Sequence, residues 1–87
     1  MAKIRLLIID DEPLVRNFLK EALLTKSSLI LMAENGQEAY KLLAKEKFDL
    51  VLADLRLPDI NGLEVLKKIK EIQNGPEVIV ISGYATF

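Results

Sequence analysis

The chain has 87 residues, of which 51% are hydrophobic and 29% charged, and its formal net charge is −1. This composition is typical of one small folded domain, and the near-zero charge gives no general indication of binding to nucleic acid or to an anionic membrane. Because cysteine and histidine are both absent, disulfides and thiolate chemistry are excluded, and any bound metal should be a hard cation that prefers oxygen ligands. No apolar run near the N-terminus is long enough for a signal peptide or a membrane span, so we expect a cytoplasmic protein without membrane or direct nucleic-acid contacts.

Four apolar runs alternate with three amphipathic segments along the chain. The predicted strands are residues 4–10, 29–33, 49–53 and 77–81. The order is therefore βαβαβαβ, and such alternation predicts a parallel sheet with helices on both faces.

The first helix is predicted to span residues 13–25. Pro13 suits its first position, where the missing N–H would have had no partner within the helix. Its apolar residues recur at helical spacing and are predicted to face the sheet; they are Leu14, Val15, Phe18, Leu19, Ala22 and Leu23.

The other two helices each begin with an asparagine N-cap followed three residues later by a glutamate. These pairs are Asn35 with Glu38 and Asn61 with Glu64, a pattern that starts many helices. The residues predicted to face inward are Ala39, Leu42 and Leu43 in the second helix, and Leu63, Leu66, Ile69 and Ile72 in the third. Asn-Gly-Pro at residues 74–76 should end the third helix, with Gly75 at its C-cap.

Three carboxylates follow two of the predicted strands. Asp10 and Asp11 come after the first strand and Asp54 after the third. If these strands are neighbours, the three side chains converge at the carboxyl edge of the sheet, where open α/β sheets bind ligands. Their mutual repulsion would be relieved by Mg²⁺, which binds carboxylate and phosphate oxygens. The arrangement indicates phosphoryl transfer to Asp54 beside a bound metal.

Each carboxylate also has a purely structural interpretation. Asp10 and Asp11 precede a helix, whose dipole favours negative charge by roughly 0.3–1 kcal/mol each, and Asp54 alone could be a turn former. Their joint placement at the ends of two different strands favours the metal site.

Three segments carry motifs that occur together, in this order, in a known family. They are Leu-Ile-Ile-Asp-Asp-Glu-Pro at residues 7–13, Asp-Leu-Arg-Leu-Pro-Asp-Ile-Asn-Gly at 54–62 and Val-Ile-Ser-Gly-Tyr-Ala at 80–85. In these motifs the chain resembles the receiver domain of two-component response regulators. The resemblance implies a flavodoxin-like fold, an open parallel sheet with strand order 2-1-3-4 over the part encoded here.

The resemblance also implies a role for individual residues. Asp54 matches the phosphoacceptor, Asp11 the direct Mg²⁺ ligand, and Asp10 a ligand acting through water. Arg56 matches the position whose backbone carbonyl completes the metal shell, and Ser82 the hydroxyl that moves to the phosphoryl oxygen on activation. The implied phosphodonor is a sensor histidine kinase, and the module is a signalling domain rather than an enzyme.

The family's domain continues with a fourth helix, a fifth strand ending in a lysine that pairs with the phosphate, and a fifth helix. We therefore expect residues 1–87 to form about the N-terminal two-thirds of a receiver domain, impaired or inactive in phosphorylation. Right-handed crossovers should place the first helix on one face of the sheet and the other two helices on the opposite face. This would leave apolar side chains of residues 50–52 and 78–81 uncovered, so we expect a homo-oligomer that uses this face or the edge of strand four.

Two alternatives belong to other functional classes. The chain could be a truncated or engineered fragment that acts only as an assembly unit. It could also be a phosphohydrolase with an aspartyl nucleophile, since Asp10 and Glu12 have the spacing of a nucleophile and its acid, although Pro13 opens a helix immediately and no lysine site follows.

Overall fold

The computed structural model describes residues 3–81, which form one four-stranded parallel sheet flanked by three helices. In chain order the elements are β1 (Ile4–Ile9), α1 (Pro13–Leu23), a 3₁₀ turn (Leu24–Lys26), β2 (Ser27–Ala33), α2 (Gly36–Lys45), β3 (Leu50–Ala53), α3 (Gly62–Lys70) and β4 (Glu77–Val80). The strands lie in the order β2-β1-β3-β4 and all three pairings are parallel. The predicted fold class and strand order are thus confirmed. None of the helices within residues 3–81 is long and apolar enough to cross a lipid bilayer.

The two faces of the sheet bury different residues of the same strands, because side chains alternate along a strand. Leu7 and Ile9 of β1 pack on the face that is covered by Val65 and Ile69 of α3 and by Ala39 of α2. The residues between them, Leu6 and Ile8, pack on the opposite face together with Leu19 and Leu23 of α1. This is the division of helices that right-handed crossovers require.

Helix α1 buries a narrower stripe than the sequence predicted. Leu14 and Phe18 were expected to face the sheet, but they are 83% and 70% exposed. Of the predicted α1 stripe, Leu19 and Leu23 pack against the core cluster on this face, and no residue of α1 is fully buried. The prediction was wrong because the six apolar residues extend around too much of the helix circumference. Only one side of a helix can contact the sheet, so the rest of the stripe remains exposed to solvent.

Helix α3 is rotated relative to the prediction. Its buried residues are Gly62, Val65 and Ile69. Ile69 was predicted to face inward, but Leu63 and Ile72, which were also predicted to face inward, are exposed. Gly62 fixes the rotation, because a Cβ at this position would lie 2.2 Å from the Leu55 Cα.

The end of α3 also differs from its prediction. The left-handed conformation belongs to Asn74, whose φ is 58°, and not to Gly75. The C-cap of the helix is Glu71, four residues before Gly75. Asparagine tolerates this backbone region better than most residues, which explains why glycine was not needed there.

The strand boundaries and the uncovered face need smaller corrections. The paired residues of β1 and β4 stop one residue before the predicted ends, and β2 begins two residues earlier, at Ser27. Leu52 was expected to be uncovered but is buried, because it packs with Leu6 and Ile8 in one core cluster. Ile79, on the same face as Leu52, is 51% exposed, as predicted, and Val80 is exposed on the opposite face.

Candidate functional site

The carboxyl ends of β1 and β3 deliver the predicted acids to one place. The two strands are adjacent, with Ile9 paired to Ala53, and the next residue of each strand continues the backbone ladder. The Asp10 N–H donates to the Ala33 carbonyl (3.0 Å) and the Asp54 N–H to the Ile9 carbonyl (2.9 Å). Asp10 and Asp54 are thus fixed by the sheet rather than by a free loop.

The three predicted carboxylates form a cluster. One carboxylate oxygen from each of Asp10, Asp11 and Asp54 lies within 4.8 Å of the other two. Asp10 is 3% exposed and Asp54 is 8% exposed, whereas Asp11 is exposed to solvent. Two carboxylates of the cluster are therefore buried, and the third faces the solvent.

Local backbone bonds orient the two buried carboxylates. Oδ1 of Asp10 accepts the N–H of Glu12 at 2.9 Å, and Oδ1 of Asp54 accepts the N–H of Arg56 at 2.9 Å. In both bonds the donor is the backbone N–H two residues after the aspartate. Aspartate side chains often accept such bonds at turns. The bond from Arg56 therefore occupies one of the two carboxylate oxygens of Asp54.

The electrostatics of the cluster favour a cation. Burial raises the pKa of Asp10, the hydrogen bond from the Glu12 N–H lowers it, and the charges of Asp54, Asp11 and Glu12 raise it again. The net pKa shift is upward, so ionised Asp10 is costly in this position without a partner. Because the donor set consists only of carboxylate oxygens, it fits Mg²⁺ better than a metal that prefers nitrogen or sulfur.

The predicted site residues have different outcomes. The structure brings Asp10, Asp11 and Asp54 together, and it places the backbone N–H of Arg56 against Asp54. The metal-ligand role of the Arg56 carbonyl stays a prediction. Ser82 lies outside the described residues, so its role also stays a prediction.

Two residues near the site were not singled out in the sequence. Arg16 donates from Nη1 to the Asp10 carbonyl at 2.7 Å, which ties α1 to the end of β1. Asp59 accepts hydrogen bonds from the backbone of α2. The position of Arg16 one turn into α1 was a usable signal, whereas the bonds of Asp59 span more than twenty residues and have no local signature.

Comparison with known proteins identifies the family. The family model described as response regulator receiver domain matches residues 6–86, and the chain belongs to this family. It is 38% identical over 86 residues to the response regulator protein PilR of Pseudomonas aeruginosa, covering 99% of this chain and 19% of PilR.

Solved structures agree with this assignment. The response regulator protein TrrA of Thermotoga maritima in complex with Mg²⁺ and BeF superposes with a TM-score of 0.85 at 39% identity, covering 97% of this chain and 72% of that one. A complex of the histidine kinase ThkA with TrrA gives a TM-score of 0.84 at 38% identity, covering 99% and 73%. Receiver domains are signalling modules.

The curated relatives are longer than this chain. It spans 18% of one of them, 19% of PilR and 64% of another. The activities and partners of those whole proteins are therefore proposals for this chain.

Proposed function

We propose that the chain is a phosphoacceptor module of a two-component system, which accepts a phosphoryl group on Asp54 and holds Mg²⁺ with Asp10, Asp11 and Asp54. The observation that carries the proposal is the cluster of three carboxylates within 4.8 Å at the ends of two adjacent strands. Family membership supports it, because the matched region includes all three aspartates.

The residues of the chain supply position and charge. Because the Arg56 N–H holds Oδ1 of Asp54, we assign the attack on phosphorus to Oδ2. A lone pair of this oxygen forms a P–O bond while the bond from phosphorus to the imidazole nitrogen of a donor phosphohistidine breaks; the imidazole keeps the electron pair and takes up a proton. Mg²⁺, when bound, neutralises negative charge on the carboxylates and the phosphoryl oxygens.

Two further roles complete the proposed site. The Arg56 backbone carbonyl is proposed as a metal ligand because Arg56 matches the position that has this role in receiver domains; its N–H contacts the Asp54 carboxylate. Ser82 is proposed as the hydroxyl that binds the phosphoryl oxygen after transfer, and this role rests on the sequence motif alone.

We propose a sensor histidine kinase as the donor and α1 as the surface that it contacts. Leu14 and Phe18 are the large apolar residues with the greatest exposure among residues 3–81, they lie one helical turn apart, and α1 begins two residues after Asp11. The histidine kinase complex among the structural relatives supports this partner. Such a patch beside the acceptor would hold a donor close to Asp54.

The docking proposal is tested by comparing two phosphodonors. Phosphorylated ThkA serves as the kinase donor and acetyl phosphate as a donor that needs no docking. Phe18→Ser should slow transfer from the kinase by about tenfold, the effect of losing one buried apolar side chain from an interface, and leave the reaction with acetyl phosphate unchanged. Leu24→Ser, also exposed but beyond the end of α1, is the control. Equal slowing with both donors would contradict docking at Phe18.

We also propose that copies of this chain associate through β4. Among residues 3–81, β4 pairs only with β3. The Glu77 and Ile81 N–H groups donate toward β3, so the alternate N–H groups point away from the sheet. An edge strand that also exposes Ile79 and Val80 is a ready surface for a second strand.

The phosphoacceptor proposal is tested with Mg²⁺ and beryllofluoride, which mimics an acyl phosphate. The wild-type protein should gain thermal stability when both are added, because a ligand that binds only the folded state stabilises it. Asp54→Asn should abolish the gain. No gain in the wild type would instead favour an inert assembly unit, and turnover of a phosphate ester would favour a phosphohydrolase.

A further inference from the structure

The loop between β3 and α3 is joined to the N-terminus of α2 by Asp59. Oδ1 of Asp59 accepts the Gly36 N–H at 2.8 Å and Oδ2 accepts the Gln37 N–H at 3.0 Å. The first N–H groups of a helix have no partner within the helix. Here Asp59 satisfies two of them, and Asn35 satisfies the next through the Glu38 N–H at 2.8 Å.

Packing reinforces this connection beside the hydrogen bonds. A Cβ on Gly36 would lie 2.8 Å from Cδ1 of Ile60, so the helix begins in close contact with the residue after Asp59. Ile60 and Leu57 also pack against the core cluster on this face. We call residues 57–60 the loop tip.

The connection is ionic as well as geometric. The hydrogen bond from the Gly36 N–H is the main cause of the lowered pKa of Asp59, and that from Gln37 adds to it. The carboxylate therefore stays ionised and faces the positive end of the α2 dipole. Among residues 3–81, its two bonds are the hydrogen bonds that join the loop tip to another element.

The other end of the same loop orients the phosphoacceptor. Arg56 is the residue immediately before the loop tip, and its N–H holds Oδ1 of Asp54. Arg56 also forms a backbone bridge to Asn61, and the Gly62 N–H donates to the Leu55 carbonyl at 3.0 Å. A displacement of the tip therefore acts on the backbone that sets the orientation of the Asp54 carboxylate.

We propose that Asp59 is a positioning residue, which fixes the β3–α3 loop against α2 and thereby holds the Asp54 carboxylate in the geometry that binds the metal. This inference rests on the proposed function, because it concerns the same metal site. Asp59 does not contact the metal or the phosphoryl group in this role.

The test compares three variants by Mg²⁺ titration calorimetry and by amide hydrogen exchange measured with NMR. Asp59→Ala removes both bonds from the loop to α2. Asn35→Ala removes a cap from the same helix and leaves the loop bonds in place. Glu64→Gln removes a charge from the same region, since the charges of both Glu64 and Asp59 raise the pKa of Tyr40.

For Asp59→Ala we expect the Mg²⁺ dissociation constant to rise by about tenfold, as for other residues that orient metal ligands, and the Arg56 amide to exchange faster. Asn35→Ala and Glu64→Gln should stay within about twofold of the wild-type constant, because a charge outside the cluster is screened by salt and a lost cap does not move the loop.

Three outcomes would contradict either the role of Asp59 or the proposed function on which it rests. If Asp59→Ala changes only the Gly36 and Gln37 amides, Asp59 is a helix cap and the positioning role is wrong. If Asn35→Ala weakens Mg²⁺ binding equally, the effect reflects the stability of α2 and the role is again wrong. If the wild-type protein binds no Mg²⁺, the proposed function fails, and the Arg56 amide alone decides whether Asp59 fixes the loop.

Discussion

Asp10 is buried beside two other carboxylates, and burial raises its pKa. Its charge therefore opposes folding when no cation is bound. Asp10→Asn should raise the melting temperature of the metal-free protein, because the amide removes the charge and its oxygen can still accept the Glu12 N–H. The same variant should weaken Mg²⁺ binding. Differential scanning calorimetry with and without Mg²⁺ measures both effects, and a lower melting temperature without metal would contradict this view of the cluster.

The charge of Asp59 should stabilise the folded protein, in contrast to the charge of Asp10, because hydrogen bonds from the α2 backbone lower the pKa of Asp59. An acid whose pKa is lower in the folded state contributes stability above its unfolded value of 3.8, and this contribution is lost as the pH falls through the folded value. We expect Asp59→Asn to destabilise the protein at neutral pH and the difference from wild type to shrink below pH 3.8. Urea unfolding at several pH values measures the difference, and a constant difference down to the lowest pH would rule out the ionic contribution.

The residues of the acid cluster were predictable because Asp10 and Asp54 directly follow apolar strands and Asp11 is the next residue after Asp10. To predict that Asp10 and Asp54 lie close together, it was enough to know where β1 and β3 end and to expect these two strands to be neighbours. Asp59 could not be found in this way, because its partners lie 22 and 23 residues away and its role depends on the path of a loop.

At the scale of single elements, the inward face was predicted correctly for α2, where Ala39, Leu42 and Leu43 pack on the core, but only in part for α1 and α3. Apolar spacing located α1 and α3, yet Phe18 and Leu63 are exposed. A pattern with more apolar residues than one face can bury does not say which of them faces the sheet. In α3 the close approach of Gly62 to Leu55 decides the rotation, and this contact is between the helix and the preceding loop.

Two isoleucines of the α3 region give a matched test of this rotation. Ile69 is 1% exposed and Ile72 is 41% exposed. Ile69→Ala should lower the free energy of unfolding by about 2–5 kcal/mol, as for other large-to-small changes in a core. Ile72→Ala should cost about 1 kcal/mol or less, since fewer contacts are lost. Chemical denaturation measures both, and equal losses would contradict the observed rotation.

Gly62 gives a second test at this scale. In Gly62→Ala the new methyl group would meet the Leu55 backbone, so the loop or the helix must move. We expect a loss of about 1–3 kcal/mol, the usual cost of overpacking, together with weaker Mg²⁺ binding because the loop holds Asp54. Gly75→Ala is the comparison for the metal site, because its Cβ would meet Cβ of Ile72 at 2.9 Å and the Ile72 carbonyl oxygen at 3.0 Å instead of the loop. It should also lose stability but keep the wild-type Mg²⁺ affinity. A stable Gly62→Ala variant with unchanged Mg²⁺ affinity would show that the contact is not restrictive.

At the scale of the whole molecule, the strand order and the placement of helices on both faces followed from the alternation of elements and from crossover handedness. The extent of the uncovered surface could not be predicted in this way, because Leu52 is buried in one cluster with Leu6 and Ile8. The exposed apolar surface of the sheet is therefore concentrated on β4 rather than spread over β3 and β4.

The proposed association through β4 predicts a dependence on protein concentration. Sedimentation velocity should show a larger species as the concentration rises, and the melting temperature should rise with it. Ile79→Lys should shift the protein toward the monomer, because a charge on an edge strand opposes pairing. Leu63→Lys, at another exposed apolar residue, should not. A monomer at every concentration would contradict the association.

Asp10, Asp11 and Asp54 are proposed to form a Mg²⁺ site in which Asp54 is also the phosphoacceptor. This claim is tested by calorimetric titration of the wild-type chain with MgCl₂, in parallel with Asp11→Asn and Asp54→Asn. We predict a single binding event in the wild type that is lost or weakened by about tenfold or more in each variant, because each removes one charged ligand. Absence of binding to the wild type, or equal binding to all three proteins, would contradict the claim.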